Sequence, residues 1–333
     1  MAARMIISRT PLRMSFVGGG SDLPSFYRRH GGAVISTAID KYVYVNINRK
    51  FDGGIRVAYS KTEEVDSVSK IEHRLVRAAF ECLELGGGVE ITTIADIPSR
   101  GTGLGSSSSF TVGLLNALHA FLGRHVSCDE LGRLSCEIEI DRCGEPIGKQ
   151  DQYAAAFGGM NVIEFREDES VVVSPVIMKP ATRTALERGI IVFYTGMTRS
   201  ASGILKQQSD DIQQSDEKRK ALLRMVSLVH ELRDELQRGH TESFGDILDA
   251  NWQLKKTLSN GVSTSEIDDW YAAARRAGAL GGKLLGAGAG GFLMFYAPES
   301  KHKDIETALG SLRKVSFGFD PLGSRIIFYN PTS

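Results

Sequence analysis

Residues 33–60 carry apolar and β-branched side chains in short runs that crowd or alternate: Ala33-Val-Ile-Ser-Thr-Ala-Ile39, Tyr42-Val-Tyr-Val-Asn-Ile-Asn48 and Gly54-Ile-Arg-Val-Ala-Tyr-Ser60. A period of two is that of a strand. Asp52-Gly53 stands between the second and third runs, which predicts a tight hairpin there. Val89–Ile94 reads as a further strand, and Met160–Phe165 with Ser170–Val176 as a strand pair. Helical spacing appears at Ile71–Leu85 and from Phe110 to Phe121. A third helix starts at the capping box Ser127-Cys-Asp-Glu130 and runs toward Arg142.

The strand pattern lapses at Met178-Lys-Pro-Ala-Thr-Arg183, and a second series begins. A strand Gly189–Thr195 is followed by helices Asp216–Arg238, Glu242–Leu258 and one after Ser263-Thr-Ser-Glu266. Strands Lys283–Leu285 and Gly291–Ala297, a helix Ser300–Lys314 and a strand Arg325–Tyr329 close the series. That order is the order of a ferredoxin-like α+β sandwich with extra helices. A chain of 333 residues exceeds what one core usually serves. Two domains are expected, 1–182 and 183–333.

Composition changes the picture only by exclusion. Lys+Arg and Asp+Glu both number 40, so there is no basic excess of the kind nucleic-acid binding uses. No apolar run is long enough to span a membrane, and the opening residues lack a secretory signal pattern. A cytoplasmic protein is expected, with no nucleic-acid and no membrane partner. The four cysteines form no C-x-x-C pair and read as buried free thiols.

The chemistry starts at Pro98-Ser-Arg-Gly-Thr-Gly-Leu-Gly-Ser-Ser-Ser-Ser109. Gly101, Gly103 and Gly105 alternate between a strand and an apolar helix. Glycines let the backbone approach a ligand closely, and a helix N-terminus aims unpaired N–H groups at an anion. The serine hydroxyls add hydrogen bonds or a Mg²⁺ ligand. A flexible linker would not be flanked so closely by apolar elements. The Walker arrangement is absent, since Gly148-Lys149 is followed by Gln150.

This segment resembles the second motif of the GHMP kinases, usually Pro-x-x-x-Gly-Leu-Gly-Ser-Ser-Ala, with Ser108 where alanine is usual and four residues rather than three between Pro98 and Gly103. Two further motifs of that family stand in order: Arg9-Thr-Pro-Leu-Arg-Met-Ser-Phe-Val-Gly-Gly-Gly-Ser-Asp22 and Gly282-Lys-Leu-Leu-Gly-Ala-Gly-Ala-Gly-Gly291. The resemblance implies a two-domain α+β fold. Its N-terminal mixed α/β domain is of the ribosomal-protein-S5-domain-2-like type, and its C-terminal domain is ferredoxin-like. It implies ATP and Mg²⁺, with Gly101, Gly103, Leu104, Gly105, Ser106, Ser107 and Ser108 around the phosphates. It implies Asp151 as general base and Arg13 beside it. Gly144, Gly148, Asp151 and Gln152 reproduce the galactokinase-like pattern around that aspartate.

Ser107 and Glu139 are the implied Mg²⁺ ligands, with Glu137 and Asp141 as alternatives for the carboxylate. Asp22, Gly19 and Gly20 are implied at the sugar, although the Glu-His pair of galactokinases is missing from Gly18-Gly-Gly-Ser-Asp22. Gly286, Gly288 and Gly290 are implied as support. The first motif looks most like the sugar 1-kinase branch of fucose and heptose 7-phosphate kinases. The implied reaction is phosphorylation of a sugar phosphate at its anomeric hydroxyl, by a monomer or homodimer, in surface polysaccharide synthesis. Another hexose 1-kinase, or a non-catalytic sugar sensor, is the alternative. A phosphate on the acceptor needs cations. Arg199 is the leading choice, with Lys206, Arg28 and Arg29 behind it.

Overall fold

A computed structural model describes residues 5–97, 101–197 and 201–330. The chain opens with strand β1 (Met5–Val17), helix α1 (Pro24–His30) and the long strand β2 (Gly32–Arg49). Strands β3 (Ile55–Ala58) and β4 (Thr62–Val65), helix α2 (Arg74–Cys82) and strand β5 (Val89–Ala95) follow. Three helices come next: α3 (Ser106–Phe121), α4 (Cys128–Cys136) and α5 (Gln150–Phe157). Strands β6 (Met160–Phe165) and β7 (Val171–Pro175) and helix α6 (Pro180–Gly189) complete this half.

The second half runs β8 (Ile190–Tyr194), α7 (Ala201–Gln214), α8 (Asp216–Arg238), α9 (Glu242–Leu258) and α10 (Ser265–Arg276). It ends with β9 (Gly281–Leu284), β10 (Phe292–Tyr296), α11 (His302–Ala308), β11 (Arg313–Val315) and β12 (Arg325–Asn330).

Among the described residues the strands make two sheets, one of eight strands and one of four. In the larger, β12, β1, β2, β5, β3 and β4 lie side by side, and β6 and β7 extend from the first half of β2. The expected hairpin at Asp52-Gly53 does not form. Asp52 accepts the Gly54 N–H and turns the chain, but β5 occupies the place beside β2 and pairs β3 in parallel. A local turn signal lost to a non-local pairing. The runs read as two strands at 33–39 and 42–48 are one strand, bent where its pairing with β1 shifts between Pro11 and Leu12.

The smaller sheet has the order β11-β8-β10-β9, the 4-1-3-2 order of a ferredoxin-like sandwich. Its fourth strand is not the expected one. Arg313–Val315, read as the end of a helix, pairs with β8. Arg325–Asn330, expected to close the second domain, pairs with β1 in the first sheet instead. The division into 1–182 and 183–333 is therefore crossed at its end. Helix α7 lies where no helix was expected, and α10 is capped by Thr264, one residue after the expected Ser263. Cys128 is exposed, against the reading of all four thiols as buried.

One apolar core joins the halves. Helix α3, packed on β1 and β2, buries Val112, Leu114, Leu115 and Leu118 beside Met14, Phe16 and Ile35. Phe16 meets Phe244 of α9 edge to face, with ring centroids 5.1 Å apart. These contacts bring the end of β1, the start of α3 and one face of α9 to a single cleft.

Candidate active site

The cleft is a cavity of about 270 Å³ between the halves. Gly101, Gly103, Gly105 and Ser106–Ser108 line it at the N-terminus of α3. Gly101, Gly103 and Gly105 all have left-handed φ, at 68°, 76° and 75°. A Cβ at Gly103 would overlap the carbonyl oxygen of Leu285, and a Cβ at Gly286 would overlap Gly103. The two glycine loops therefore touch backbone to backbone. Gly288 packs on Val262 and Gly290 on Met197 with as little room. Ser106 Oγ is buried without a partner at the first position of α3. An orphaned hydroxyl beside unpaired helix N–H groups suits an anionic oxygen.

Arg13 and Asp151 form the cleft's central pair. Arg13 Nε donates to Asp151 Oδ1 and Nη2 to Oδ2, each at 2.7 Å. Its Nη1 donates to the Gly103 carbonyl at 2.6 Å. All three arms of the guanidinium are thus engaged, and Arg13 is buried. β1 supplies the arginine and the first turn of α5 supplies the aspartate.

Glu139 lies beside the first turn of α3, buried in the π-helical turn Glu137–Arg142 that ends α4. Such wide turns rotate the following side chains and recur at functional sites. Its carboxylate accepts from Ser107 Oγ (3.1 Å), Ser108 Oγ (2.7 Å), Thr111 Oγ1 (3.1 Å) and Gln152 Nε2 (2.5 Å). Burial nevertheless pushes its carboxyl above the usual range, with the hydrogen bonds opposing. Ser108, where the family pattern has alanine, gives this carboxylate an additional donor. Glu137 faces out toward Arg133 and Arg142, which removes it as an alternative.

Asp22 is buried at the other end. Its Oδ1 accepts from Gly20 N (2.9 Å) and its Oδ2 from Gln150 Nε2 (3.0 Å). A Cβ at Gly148 would overlap Asp22 Oδ2, which is why glycine stands there. Burial raises this carboxyl too, and nearby Asp151 adds to the shift.

Two profile matches cover much of the chain: the GHMP kinase N-terminal domain over 73–159 and the GHMP kinase C-terminal domain over 232–314. A D-glycero-alpha-D-manno-heptose 7-phosphate kinase of Campylobacter jejuni is 30% identical over 92% of this chain and 93% of its own. The chain belongs to the GHMP kinases. A crystal structure of a D-glycero-D-manno-heptose 1-phosphate kinase from Bacteroides thetaiotaomicron superposes with TM-score 0.79 at 28% identity, covering 96% of this chain and 98% of that one. The L-fucokinase/L-fucose-1-P guanylyltransferase of Bacteroides fragilis is 26% identical over 94% of this chain and 36% of its own. Like these relatives, this GHMP kinase is an ATP-dependent phosphotransferase with an alcohol group as acceptor.

In this GHMP kinase the residues singled out from sequence mostly converge. Arg13, Gly19, Gly20, Asp22, Gly101, Gly103, Gly105, Ser106, Ser107, Ser108, Glu139, Asp151 and Gly286 line one cavity. Leu104 is buried beneath it, its carbonyl accepting the Arg13 N–H at 3.0 Å. Arg199 lies outside the described residues. Lys206 is exposed on α7, and Arg28 is bound to Glu169 at 2.5 Å on the surface. Arg29 lines a separate shallow groove beside α1.

Sequence reasoning missed Gln150, Asn251, Lys255 and Lys283. Lys283 Nζ donates to the carbonyls of Ser15 (2.7 Å) and Phe16 (3.0 Å), and burial next to Lys255 and Arg13 lowers its pKa to about 7. Lys255 Nζ donates to Gly19 O (3.1 Å) and Gln208 Oε1 (3.0 Å), and burial lowers its pKa to about 8. Lys283 was in plain view inside the third motif. The others carry no spacing signal. Among the described residues no helix is long and apolar enough to cross a membrane.

Proposed function

We propose that this chain transfers the γ-phosphoryl group of ATP to the anomeric hydroxyl of D-glycero-D-manno-heptose 7-phosphate, giving the 1,7-bisphosphate. The reading rests on the bidentate Arg13–Asp151 pair at the mouth of the glycine loop, taken with the acceptor named for the Campylobacter relative. The N–H groups opening α3 and the Ser106 hydroxyl receive the nucleotide phosphates. Asp151 accepts the hydrogen bond of the attacking hydroxyl and takes its proton as the bond to phosphorus forms. A loose phosphoryl-transfer transition state demands little of the base and much of alignment. Arg13 anchors the Asp151 carboxylate to the Gly103 carbonyl, so base and phosphate loop are held to each other.

The donor set at Ser107 and Glu139 suits Mg²⁺: hard oxygens, one carboxylate and one hydroxyl, with Ser107 exposed to the cleft. Mg²⁺ held there supplies charge neutralisation at the phosphates. Among the described residues no cluster of three metal-binding side chains exists. One carboxylate and one hydroxyl is the complement expected of a Mg²⁺ that keeps phosphate and water ligands. Asp22, with Gly19 and Gly20, receives the sugar hydroxyls. We place the reaction in the cytoplasm, as a step that prepares an activated heptose for surface polysaccharide.

The test is a coupled ADP-release assay over heptose 7-phosphate, fucose and other hexoses, with ³¹P NMR of the product. A new phosphorus signal coupled to an anomeric proton is expected only from the heptose 7-phosphate. Turnover of fucose alone would move the assignment to the fucokinase branch.

A further inference from the structure

The cleft has two polar ends. One is the phosphate loop with Ser107 and Glu139. At the other, Asn251 and Lys255 lie four residues apart on α9 and so share a helix face. That face closes over the Gly18–Gly20 turn: Gly18 N donates to Asn251 Oδ1 at 3.1 Å, and Lys255 Nζ donates to Gly19 O. Both side chains line the cavity, and both are buried, at 1% and 6% exposure.

Their open valences are all of one kind. Lys255 carries three N–H groups, and its bonds to Gly19 O and Gln208 Oε1 use two. Asn251 Nδ2 is buried without a partner, and so is Gln208 Nε2 beside Gly20. Each oxygen of Asp22 already holds an N–H, from Gly20 and from Gln150. The unpartnered buried atoms at this end of the cleft are thus donors. A sugar hydroxyl brings a donor as well as acceptors and satisfies such a set poorly. A phosphate dianion brings acceptors only. It also adds a negative charge in direct hydrogen-bond reach of Lys255, whose present hydrogen-bond partners are both neutral oxygens and whose nearby carboxylate, Asp22, acts only through space.

We propose that Lys255 and Asn251 bind the phosphate at the non-reacting end of the acceptor, with Gln208 positioning Lys255. This rests on the sugar-phosphate reading above and narrows it. The recognition elements are then on α9 rather than on Arg28 or Lys206. Burial lowers the pKa of Lys255 against the opposing Asp22 carboxylate, so a bound dianion would hold the ammonium's proton more firmly.

The experiment compares kcat/KM for heptose 7-phosphate with kcat/KM for the unphosphorylated heptose, in wild type, Lys255→Met and Asn251→Asp. Methionine keeps the length and packs in apolar surroundings. Asn251→Asp is nearly isosteric and leaves the acceptor for Gly18 N in place, so at least one variant folds. In wild type the phosphorylated sugar is preferred. In each variant that preference falls ten- to a hundredfold, while KM for ATP changes less than threefold. An unchanged preference, with both sugars slowed alike, shows a structural role and overturns the proposal. A rise confined to KM for ATP overturns it in favour of a nucleotide contact. A wild type that does not distinguish the two sugars removes the sugar-phosphate reading itself, and the proposal with it.

Discussion

Arg13 grips Asp151 through two parallel N–H···O bonds while its third arm holds the Gly103 carbonyl. Asp151→Asn presents an amide N–H to one arm of the guanidinium and removes the proton acceptor. Turnover is expected to fall by about 10² or more with little change in nucleotide affinity. Steady-state kinetics and calorimetric titration with a nucleotide analogue check both halves. Arg13→Lys keeps the charge but loses the fork. It should cost kcat in the same direction, and near-wild-type turnover would mean that charge alone suffices.

The contact between the glycine loops revises what a branched side chain at Gly103 does. On the sequence alone, Gly103→Val is expected to block ATP while sparing the fold, because a Cβ branch would block the backbone's approach to phosphate. The added Cβ instead overlaps the Leu285 carbonyl, in a backbone conformation with φ of 76°. Even Gly103→Ala is expected to lower the melting temperature as well as ATP affinity. Gly144→Ala is the control, since it has left-handed φ but open space around its Cβ. It should cost only about 1 kcal/mol of backbone strain and leave ATP binding alone. If the two variants lose equal stability, the loops do not support each other.

Buried Lys283 gives stability a pH dependence. Its pKa is about 7 in the fold, well below the unfolded value of a lysine. The unfolded chain binds the extra proton, so stability rises with pH above about 7 and is lost as pH falls through that value. Lysine 255 acts in the same sense near 8. Lys283→Met should therefore flatten the rise in unfolding free energy between pH 7 and 9, by up to about 1.4 kcal/mol per pH unit. A parallel pair of curves would show that Lys283 is ordinary in the fold.

Glu139 and Ser108 separate metal binding from support. Glu139→Gln sets an amide N–H₂ among hydroxyl donors and removes the charge. It is expected to raise the Mg²⁺ concentration needed for half-maximal activity. Ser108→Ala removes one donor from the buried carboxylate, costing on the order of 1 kcal/mol of stability, and leaves the Mg²⁺ titration where it was. An unmoved titration in Glu139→Gln excludes that carboxylate as a ligand.

The parts of the site readable from sequence are those that need a special backbone. Gly101, Gly103 and Gly105 announce themselves because left-handed φ admits few other residues. Helices Asp216–Arg238 and Glu242–Leu258 have the expected bounds, since Ser215 caps the first and Gly239 ends it. Lys255 and Asn251 were illegible for a different reason. On paper they are polar residues in an amphipathic helix, and only packing against the Gly18–Gly20 turn shows that they face inward. The place of β5 between β2 and β3 was hidden likewise, because strand order is decided by partners distant in the chain.

Strand β12 completes the first sheet by pairing with β1, Met5 opposite Asn330. Residues 325–330 leave the ribosome after every other strand of that sheet. The arginine-bearing strand thus emerges early and acquires its outer neighbour last. A chain still being synthesised exposes one bare edge of β1 throughout, an edge open to pairing with other nascent chains. That edge of β1 gains its neighbour only when the second half has been made.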